Sequence, residues 1–248
     1  MRYDLFIAKK LNISRNKALE LIENEEIVLN SRLFKASFDV KNLLKNDLND
    51  DEILYCEELN LKLLNEIYVS RAAFKLKNFL KDKNITIQNK NCLDIGSSTG
   101  GFVQILLENK ALKITALDVG NNQLHQSLRN NEKIKVLENT DLREFKSDEK
   151  FDIITCDVSF ISLHLLLFYI NNLALKDIIL LFKPQFEVGL RAKRDKKGVL
   201  KDEKAVQGAR KEFEKACMKL GWILVSSEES KIKGKEGNVE YFYHYTKG

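Results

Sequence analysis

Two amines and two carboxylates stand where a reaction could use them. The apolar run "DIILLF" delivers Lys183 at its tip and stops at Pro184, the only proline in the chain. Such a run reads as a buried strand, and a proline has no N–H with which to extend a ladder. The run "FDIITCD" reads the same way and ends in Asp157. If the two strands are parallel neighbours, Asp157 and Lys183 meet at one edge of the sheet. Glu240 opens a last strand-like run after a glycine turn, in "KGKEGNVEYFYHY". Lys75 lies in "YVSRAAFKLKNFL", a helical segment whose apolar face uses Ala72, Leu76, Phe79 and Leu80, which leaves Lys75 off the buried stripe. Amines and carboxylates gathered together can hold or move a proton. Each also has a plainer reading: a strand-end lysine with an apolar stem, an exposed helix lysine, a strand-end cap and a solvent-facing strand residue.

A second constellation would meet a cofactor. In "CLDIGSSTGGF", Asp94 ends a strand-like run, and Gly96, Ser97, Ser98, Thr99 and Gly100 lead into a helix. Glycines there let a backbone turn sharply and approach a ligand. The pattern is not GxGxxG, because Ser98 takes the middle glycine's place. It is similar to the looser D-x-G-x-x-x-G of S-adenosylmethionine-dependent methyltransferases, and this spacing favours S-adenosylmethionine over NAD. Asp118 ends the next strand-like run, where a carboxylate can accept ribose hydroxyls. Asp141 follows the third, where it could meet an adenine. Singly, each acid could be a cap or turn residue; three at successive strand ends form a pattern.

The elements that must position these groups are strands at 92–96, 113–119, 134–138, 151–157, 177–183, 222–226 and 239–245. Helices are expected at 71–83, 101–110, 121–130, 162–172 and 203–220. Alternating strands and helices with continuous apolar strands imply an α/β fold with a mostly parallel sheet covered on both faces. In such sheets ligands bind beyond the C-terminal strand ends. The aromatic set Tyr241, Phe242, Tyr243 and Tyr245 reads as core and sheet face.

Before this lies a smaller part, residues 1–60, whose acidic stretch 46–60 reads as a linker to the domain of residues 61–248. Ser14 is a good helix N-cap. Ala18, Leu21 and Ile22 follow on one helical face, with Arg15 and Lys17 opposite. Ile27–Leu29 and the turn-prone Asn30 and Ser31 suggest a hairpin. Residues 1–60 hold 9 Lys/Arg against 12 Asp/Glu, and residues 61–248 hold 32 against 24, so the net charge of +5 is concentrated in the second part. The first part nevertheless opens with Arg2, Lys9, Lys10, Arg15 and Lys17 against Asp4 alone. "RAKRDKKGVLKDEK" forms a second basic cluster, with Arg191, Lys193 and Arg194. Local basic patches suggest a polyanion partner; a solvated lysine-rich surface is the bland alternative. The four dispersed cysteines and three scattered histidines offer neither a disulfide framework nor a metal site, so no metal is expected. No stretch reaches the ~18 apolar residues of a membrane span, and the start has no secretory signal. A cytoplasmic protein acting as a monomer is the expectation.

"RYDLFIAKKLNISRNKALELIENEEIVLN" resembles the RNA-binding S4 domain, although Asn24 and Ser31 stand where that domain has glycines. The set Lys75, Asp157, Lys183 and Glu240 resembles the Lys-Asp-Lys-Glu tetrad of FtsJ-like ribose 2′-O-methyltransferases. The resemblance is closer still to the TlyA family, which joins the two parts, and it runs through "YVSRAAFKL", "LDIGSSTGGF", "LDVGNNQL", "CDVSFIS", "LFKPQFEVG" and "KGKEGNVEYF". Ala72 and Ala73 depart from the family's Gly-Gly or Gly-Ala. The resemblance implies a Rossmann-like methyltransferase with a seven-stranded sheet and a small S4-like α+β domain. It implies 2′-O-methylation of a cytidine in ribosomal RNA, with ribosomal subunits as partners and S-adenosylmethionine as donor. It makes Lys75, Asp157, Lys183 and Glu240 catalytic, and Asp94, Gly96, Ser97, Ser98, Thr99, Gly100, Asp118 and Asp141 the donor's site. Arg2, Lys9, Lys10, Ser14, Arg15, Lys17, Arg71, Arg191, Lys193 and Arg194 would meet RNA. A ribose hydroxyl is a poor nucleophile while protonated, and an ordinary lysine titrates near ~10.4. A second amine disfavours charge on a lysine and carboxylates favour it, so the cluster can divide roles, with Lys183 as base. The haemolysin label that TlyA-like proteins have carried opens a membrane-active alternative. A non-catalytic RNA-binding protein on a methyltransferase fold is another.

Overall fold

The computed structural model describes the chain except for residues 24, 47, 65–67, 82, 190 and 191, so Asn24 and Arg191 lie outside the described residues. The chain divides into two units, Met1–Ile67 and Tyr68–Gly248. The first is organised by a buried charge. Asp4, on helix α1 (Tyr3–Lys10), is fully buried. Arg2 donates to both oxygens of its carboxylate, at 3.1 and 3.2 Å, and Arg15 adds a bond to Oδ2 at 2.8 Å. An unpaired buried carboxylate would be costly, so the Arg-x-Asp opening and the later Ser-Arg are one device. Ser14 accepts a hydrogen bond from the Lys17 N–H and caps helix α2 (Arg15–Glu23). Phe6, Ile7, Leu21, Ile27 and Ile53 form the core of this unit.

Two expectations differ from the structure here, one through non-local strand pairing and one through a local helix start. Asn30 and Ser31 do make a turn, with φ of 48° and 62°. Across it Leu29 and Arg32 exchange backbone hydrogen bonds at 3.0 Å, but the pairing stops at that one bridge; the strand before the turn, β1 (Ile27–Leu29), runs antiparallel to a distant β2 (Leu61–Leu63). This carries the unit past residue 60. Residues 46–60 are not a linker either. Asn49 and Glu52 form a capping box around helix α3 (Asp50–Tyr55), whose first turn takes Asp50, Asp51 and Glu52 at the helix's positive end. Ile53 and Leu59 are buried.

The second unit begins with helix α4 (Arg71–Leu80) and continues through β3 (Asn91–Ile95), α5 (Gly101–Glu108), β4 (Lys113–Leu117), α6 (Gln126–Arg129), β5 (Ile134–Leu137) and β6 (Phe151–Cys156). Then follow α7 (Leu167–Leu173), β7 (Ala174–Phe182), α8 (Pro184–Glu187), α9 (Glu203–Lys219), β8 (Trp222–Glu229) and β9 (Tyr241–Lys247). The seven strands form one sheet in the order β5-β4-β3-β6-β7-β9-β8. Only β9 runs against its neighbours. Alternate strand side chains enter two cores. Leu93, Ile95, Ile154, Leu180 and Phe182 pack with α7 and α9, whereas Cys92, Ile153, Ile179 and Leu181 pack with α4 and α5. Phe242, Tyr243 and Tyr245 are buried within these cores.

The strand order reverses direction at β3. The chain leaves it for β4 on one side and later returns to β6 on the other, which opens a crevice beyond the C-terminal ends of β3 and β6. The Asp157 N–H donates to the Ile95 carbonyl at 3.0 Å there, and no further residues pair. Pro184 ends β7 as expected: it starts α8 and leaves Lys183 extended at the tip of the strand.

The helix expected over 121–130 is reduced to Gln126–Arg129 because Glu138 claims the preceding residues. Its carboxylate accepts from the N–H groups of Asn122, Gln123 and Leu124 and pairs with Arg129. The Leu124 N–H leads the effects that hold the Glu138 carboxyl down at about 2. A depressed carboxyl contributes stability that is complete above its ordinary value of 4.5 and is lost as pH falls toward about 2. Amide protection factors at Asn122, Gln123 and Leu124 should therefore be level from pH 7 to 5 and drop below about 4.5. In Glu138→Ala the protection should be low throughout; a variant with wild-type protection would refute the clamp.

Candidate active site

The crevice holds two adjoining cavities, of ≈ 420 and ≈ 370 Å³. The first is lined by Lys75, Asp157 and Lys183 together with Asp94 and the loop Gly96–Thr99. The second is lined by Asp118, Val119, Asp141, Leu142 and Phe160. Gly96, Ser98, Asp157 and Ser159 belong to both walls.

Two lysines on the first wall are paired with acids. Lys183 Nζ lies 2.6 Å from Asp157 Oδ1 and donates to Ser159 Oγ at 2.8 Å. Lys75 Nζ lies 2.7 Å from Glu240 Oε2. Both lysine side chains are only 10% exposed, so neither is a solvated strand-end or helix-surface lysine. Ala73, Leu76 and Phe79 are the buried positions of α4, with Ala73 in place of the expected Ala72, and Lys75 lies off that stripe as expected, its ammonium drawn to an acid 165 residues away. Glu240, just ahead of β9, is itself buried and stands behind Lys75. A Cβ on Gly234 would come within 2.6 Å of Glu240 Oε1, so a side chain there would push the carboxylate aside.

The glycine loop follows from the same crowding. Gly96 has φ +76°, and a Cβ there would lie 2.8 Å from the Asp157 carbonyl oxygen. Only glycine lets the end of β3 pass this close to the end of β6. Gly100, at φ +96°, caps α5. Ser97 is buried, and Ser98 donates its N–H to Asp118 Oδ2 at 2.7 Å. Asp118 also accepts from the Gly120 N–H, which fixes its carboxylate on the wall of the second cavity. Asp141 lines that cavity too, with its carboxylate held by Arg143 at 2.6 Å. Hydrogen bonds from Arg143 hold the Asp141 carboxyl below its ordinary value.

Asp94 is the unusual acid. It is fully buried; Thr155 donates to its Oδ1 at 2.7 Å, and its Oδ2 has no hydrogen-bond partner. Burial pushes its pKa up to about 8. A buried carboxyl with a spare oxygen on a cavity wall fits a ligand that brings positive charge. A carboxylate pair and an apolar flank in the second cavity fit a nucleoside. The donor set therefore suits S-adenosylmethionine, which carries both.

Of the residues expected at RNA, Arg71 lines the first cavity. Lys193 and Arg194 are exposed, and Arg194 donates to the Gln185 carbonyl at 3.1 Å. In the first unit Lys9 and Lys10 are exposed, and Lys10 donates to the Leu54 carbonyl. Arg2 and Arg15 stay half-exposed while holding Asp4. Lys17 pairs with Glu20 at 3.1 Å. Ser14 is a helix cap. The sequence reading missed Ser159, Phe160, Lys233 and Lys235. Ser159 and Phe160 sit within three residues of Asp157, where a loop beyond a strand end must line any crevice. Phe160 is 92% exposed at φ +66°, a strained conformation for an aromatic residue, and its ring meets that of Phe186 at a tilt of 53° with centroids 5.2 Å apart.

Comparison with known proteins agrees with this geometry. The model of the FtsJ-like methyltransferases matches residues 68–247, the whole sheet unit. "23S rRNA (cytidine-2'-O)-methyltransferase TlyA" of Campylobacter jejuni is 73% identical over 252 aligned residues, spanning all of both chains. "16S/23S rRNA (cytidine-2'-O)-methyltransferase TlyA" of Mycobacterium tuberculosis is 38% identical over 180 residues, covering 71% of this chain and 67% of that one. A solved structure from Lactococcus lactis, of a protein carrying the hemolysin label, superposes with a TM-score of 0.69 at 38% identity. It covers 73% of this chain and 89% of its own. Crevice, paired charges and end-to-end similarity converge, and the chain belongs to the TlyA group of the FtsJ-like methyltransferase family.

Proposed function

We propose that the protein transfers a methyl group from S-adenosylmethionine to the 2′-hydroxyl of a cytidine in ribosomal RNA. The observation that carries this reading is the pairing of two largely buried lysines on one cavity wall, Lys183 with Asp157 on the same wall and Lys75 with Glu240 behind it, beside a second cavity lined by Asp118 and Asp141. The relative spanning the whole chain is named for 23S rRNA, so the large subunit is the first substrate to test and 16S rRNA the second. Among the described residues no helix is long and apolar enough to cross a membrane.

S-adenosylmethionine, when bound, supplies a methyl group on a positively charged sulfur that an oxygen nucleophile can displace. The protein's part is to hold that oxygen and take its proton. Lys183 Nζ, fixed between Asp157 and Ser159, is placed to accept the 2′-hydroxyl proton as the neutral amine, its own proton having passed to Asp157. Lys75, backed by Glu240, orients the same hydroxyl from the other side of the cavity. Because each amine is anchored by an acid, the ribose meets a wall that needs little rearrangement, and positioning supplies most of the acceleration. Microscopic roles within so close a set belong to the set as a whole. Asp118 and Asp141 would hold the nucleoside half of the donor, and Asp94 would face its positive charge. The first unit would grip rRNA through Lys9, Lys10 and the half-exposed guanidiniums of Arg2 and Arg15.

Lys183→Ala should lower methyl transfer to under-methylated subunits by about 100-fold or more while donor binding is retained. Near-normal turnover would refute the role. Residues 68–248 alone should bind the donor but methylate subunits poorly; activity equal to the full chain would end the division of labour. Asp94 makes a separate prediction. At pH 7 a carboxyl of pKa about 8 is mostly protonated, and a cationic ligand beside it favours the ionised form. Donor binding should release up to about 0.9 proton at pH 7, falling toward zero above pH ~9. Calorimetry in buffers of different ionisation enthalpy measures this. Asp94→Asn should abolish the release, and a wild type that binds without releasing a proton would remove Asp94 from the donor's site.

A further inference from the structure

The first cavity carries more positive charge than its acids can offset. Lys75 and Lys183 are taken up by Glu240 and Asp157. Arg71, Lys233 and Lys235 line the same cavity. Lys233 and Lys235 are exposed, and neither ammonium has a carboxylate within ion-pair distance among the described residues. Glu236, in the same turn, does not line the cavity. Arg71 spends one N–H on the Lys233 carbonyl at 3.3 Å, and its remaining donors are uncommitted among the described residues.

The segment that carries the two lysines is held in place. The Gly234 N–H donates to the Asn238 carbonyl at 2.9 Å, and the Gly237 N–H to the Gly234 carbonyl at 2.8 Å. The Asn238 side chain, buried, accepts from the Leu200 N–H at 2.9 Å. Gly234 is the residue pressed against Glu240. Lys233 and Lys235 therefore flank Gly234, a backbone position packed close to Glu240, and Arg71 ties the turn to the N-terminus of α4.

We propose that Arg71, Lys233 and Lys235 form a phosphodiester-binding site at the mouth of the catalytic cavity, which takes the phosphate beside the target ribose. The inference rests on the methyl-transfer reading of this cavity and deepens it. A 2′-hydroxyl sits next to the 3′-phosphate of its own nucleotide, so any ribose held between Lys75 and Lys183 brings an anion with it. A cytosine is uncharged at neutral pH; the phosphate is the only charge the target nucleotide offers to three surplus cations. The site gives the enzyme a polynucleotide requirement: a free nucleoside would fit the pocket and leave the three cations unanswered. It positions the backbone and reads no base.

The carboxylate of the methyl donor is the other anion that could reach these cations, and the experiment separates the two. Full-length wild type, K233A/K235A and K233R/K235R are compared on ribosomal subunits lacking the methyl group, across a range of KCl concentrations. K233A/K235A should raise KM for subunits about tenfold, well beyond any fall in kcat. It should also make the dependence of log binding constant on log salt shallower by about 1 to 2. K233R/K235R should restore most of both, and donor affinity by calorimetry should match wild type in all three. A subunit KM and salt slope unchanged in K233A/K235A overturn the site. A loss confined to donor affinity overturns it too, by assigning the lysines to the donor's carboxylate. If wild type transfers no methyl group yet its subunit binding keeps the lysine-dependent slope, the proposed reaction falls and the phosphate site stands.

Discussion

Lysine ammonium groups cannot be left alone in a largely buried wall. At 4 Å and an effective dielectric near 20, opposite charges attract by about 4 kcal/mol, enough to offset much of the desolvation that burial imposes. That requirement governs the catalytic edge of the sheet. Lys183 is stranded at the end of β7 by Pro184, and the acid within reach is Asp157, one strand over. Lys75 is turned inward on α4, and the acid within reach is Glu240, at the head of β9. Removing either acid would leave a buried cation unanswered, so each pair is a structural commitment before it is a chemical one. The consequence for chemistry is preorganisation: the amines are already aimed when a hydroxyl arrives.

The fold makes these pairs by topology. Reversal of the strand order at β3 sets the ends of β3 and β6 side by side, and the hydrogen bond from Asp157 to Ile95 marks where their pairing stops. Gly96 lets the two ends pass at a distance that a Cβ would block. On the other side, β9 enters antiparallel between β7 and β8, which brings Glu240 to the same edge as Lys183 although the two are far apart in sequence. Antiparallel insertion is what allows an acid before a strand to meet a lysine after one.

The central strands of the sheet were legible because their apolar runs are continuous, as strands buried on both faces must be; the edge strand β8 was read from the same kind of run although its Ile223, Leu224 and Val225 are exposed. Asp157 and Lys183 were legible as neighbours for the same reason, since both close such runs. What escaped was set by partners far along the chain. That Lys75 meets Glu240 was carried by the resemblance alone, because the partner lies 165 residues away and a place off the apolar stripe names no partner. β1 read as half of a hairpin because Leu61–Leu63 is beyond the range of local turn signals. The stretch 46–60 read as a linker because its acids were counted as charge, whereas Asn49 with Glu52 three residues later is a helix start. Residues 121–124 have helical neighbours but are pinned by Glu138, a contact no periodicity records. Lys233 and Lys235 were passed over because the turn that aims them is visible only in three dimensions.

The two cavities share Gly96, Ser98, Asp157 and Ser159, and this shared wall is where a donor's methyl group and an acceptor's oxygen would have to meet. Both partners of Lys183, Asp157 and Ser159, lie on it. Neither Lys75 nor Glu240 does. In the proposed reaction this asymmetry gives a geometric reason for the division that makes Lys183 the base. The amine anchored to the shared wall is the one beside the bond being made, and it is suited to receive the proton. The amine anchored to Glu240 stands toward the outer mouth, near Gly234 and its flanking lysines, and is suited to hold the ribose and the backbone it brings. The order of the strands thus grades the site from donor to acceptor to polymer, with one charged pair at each junction.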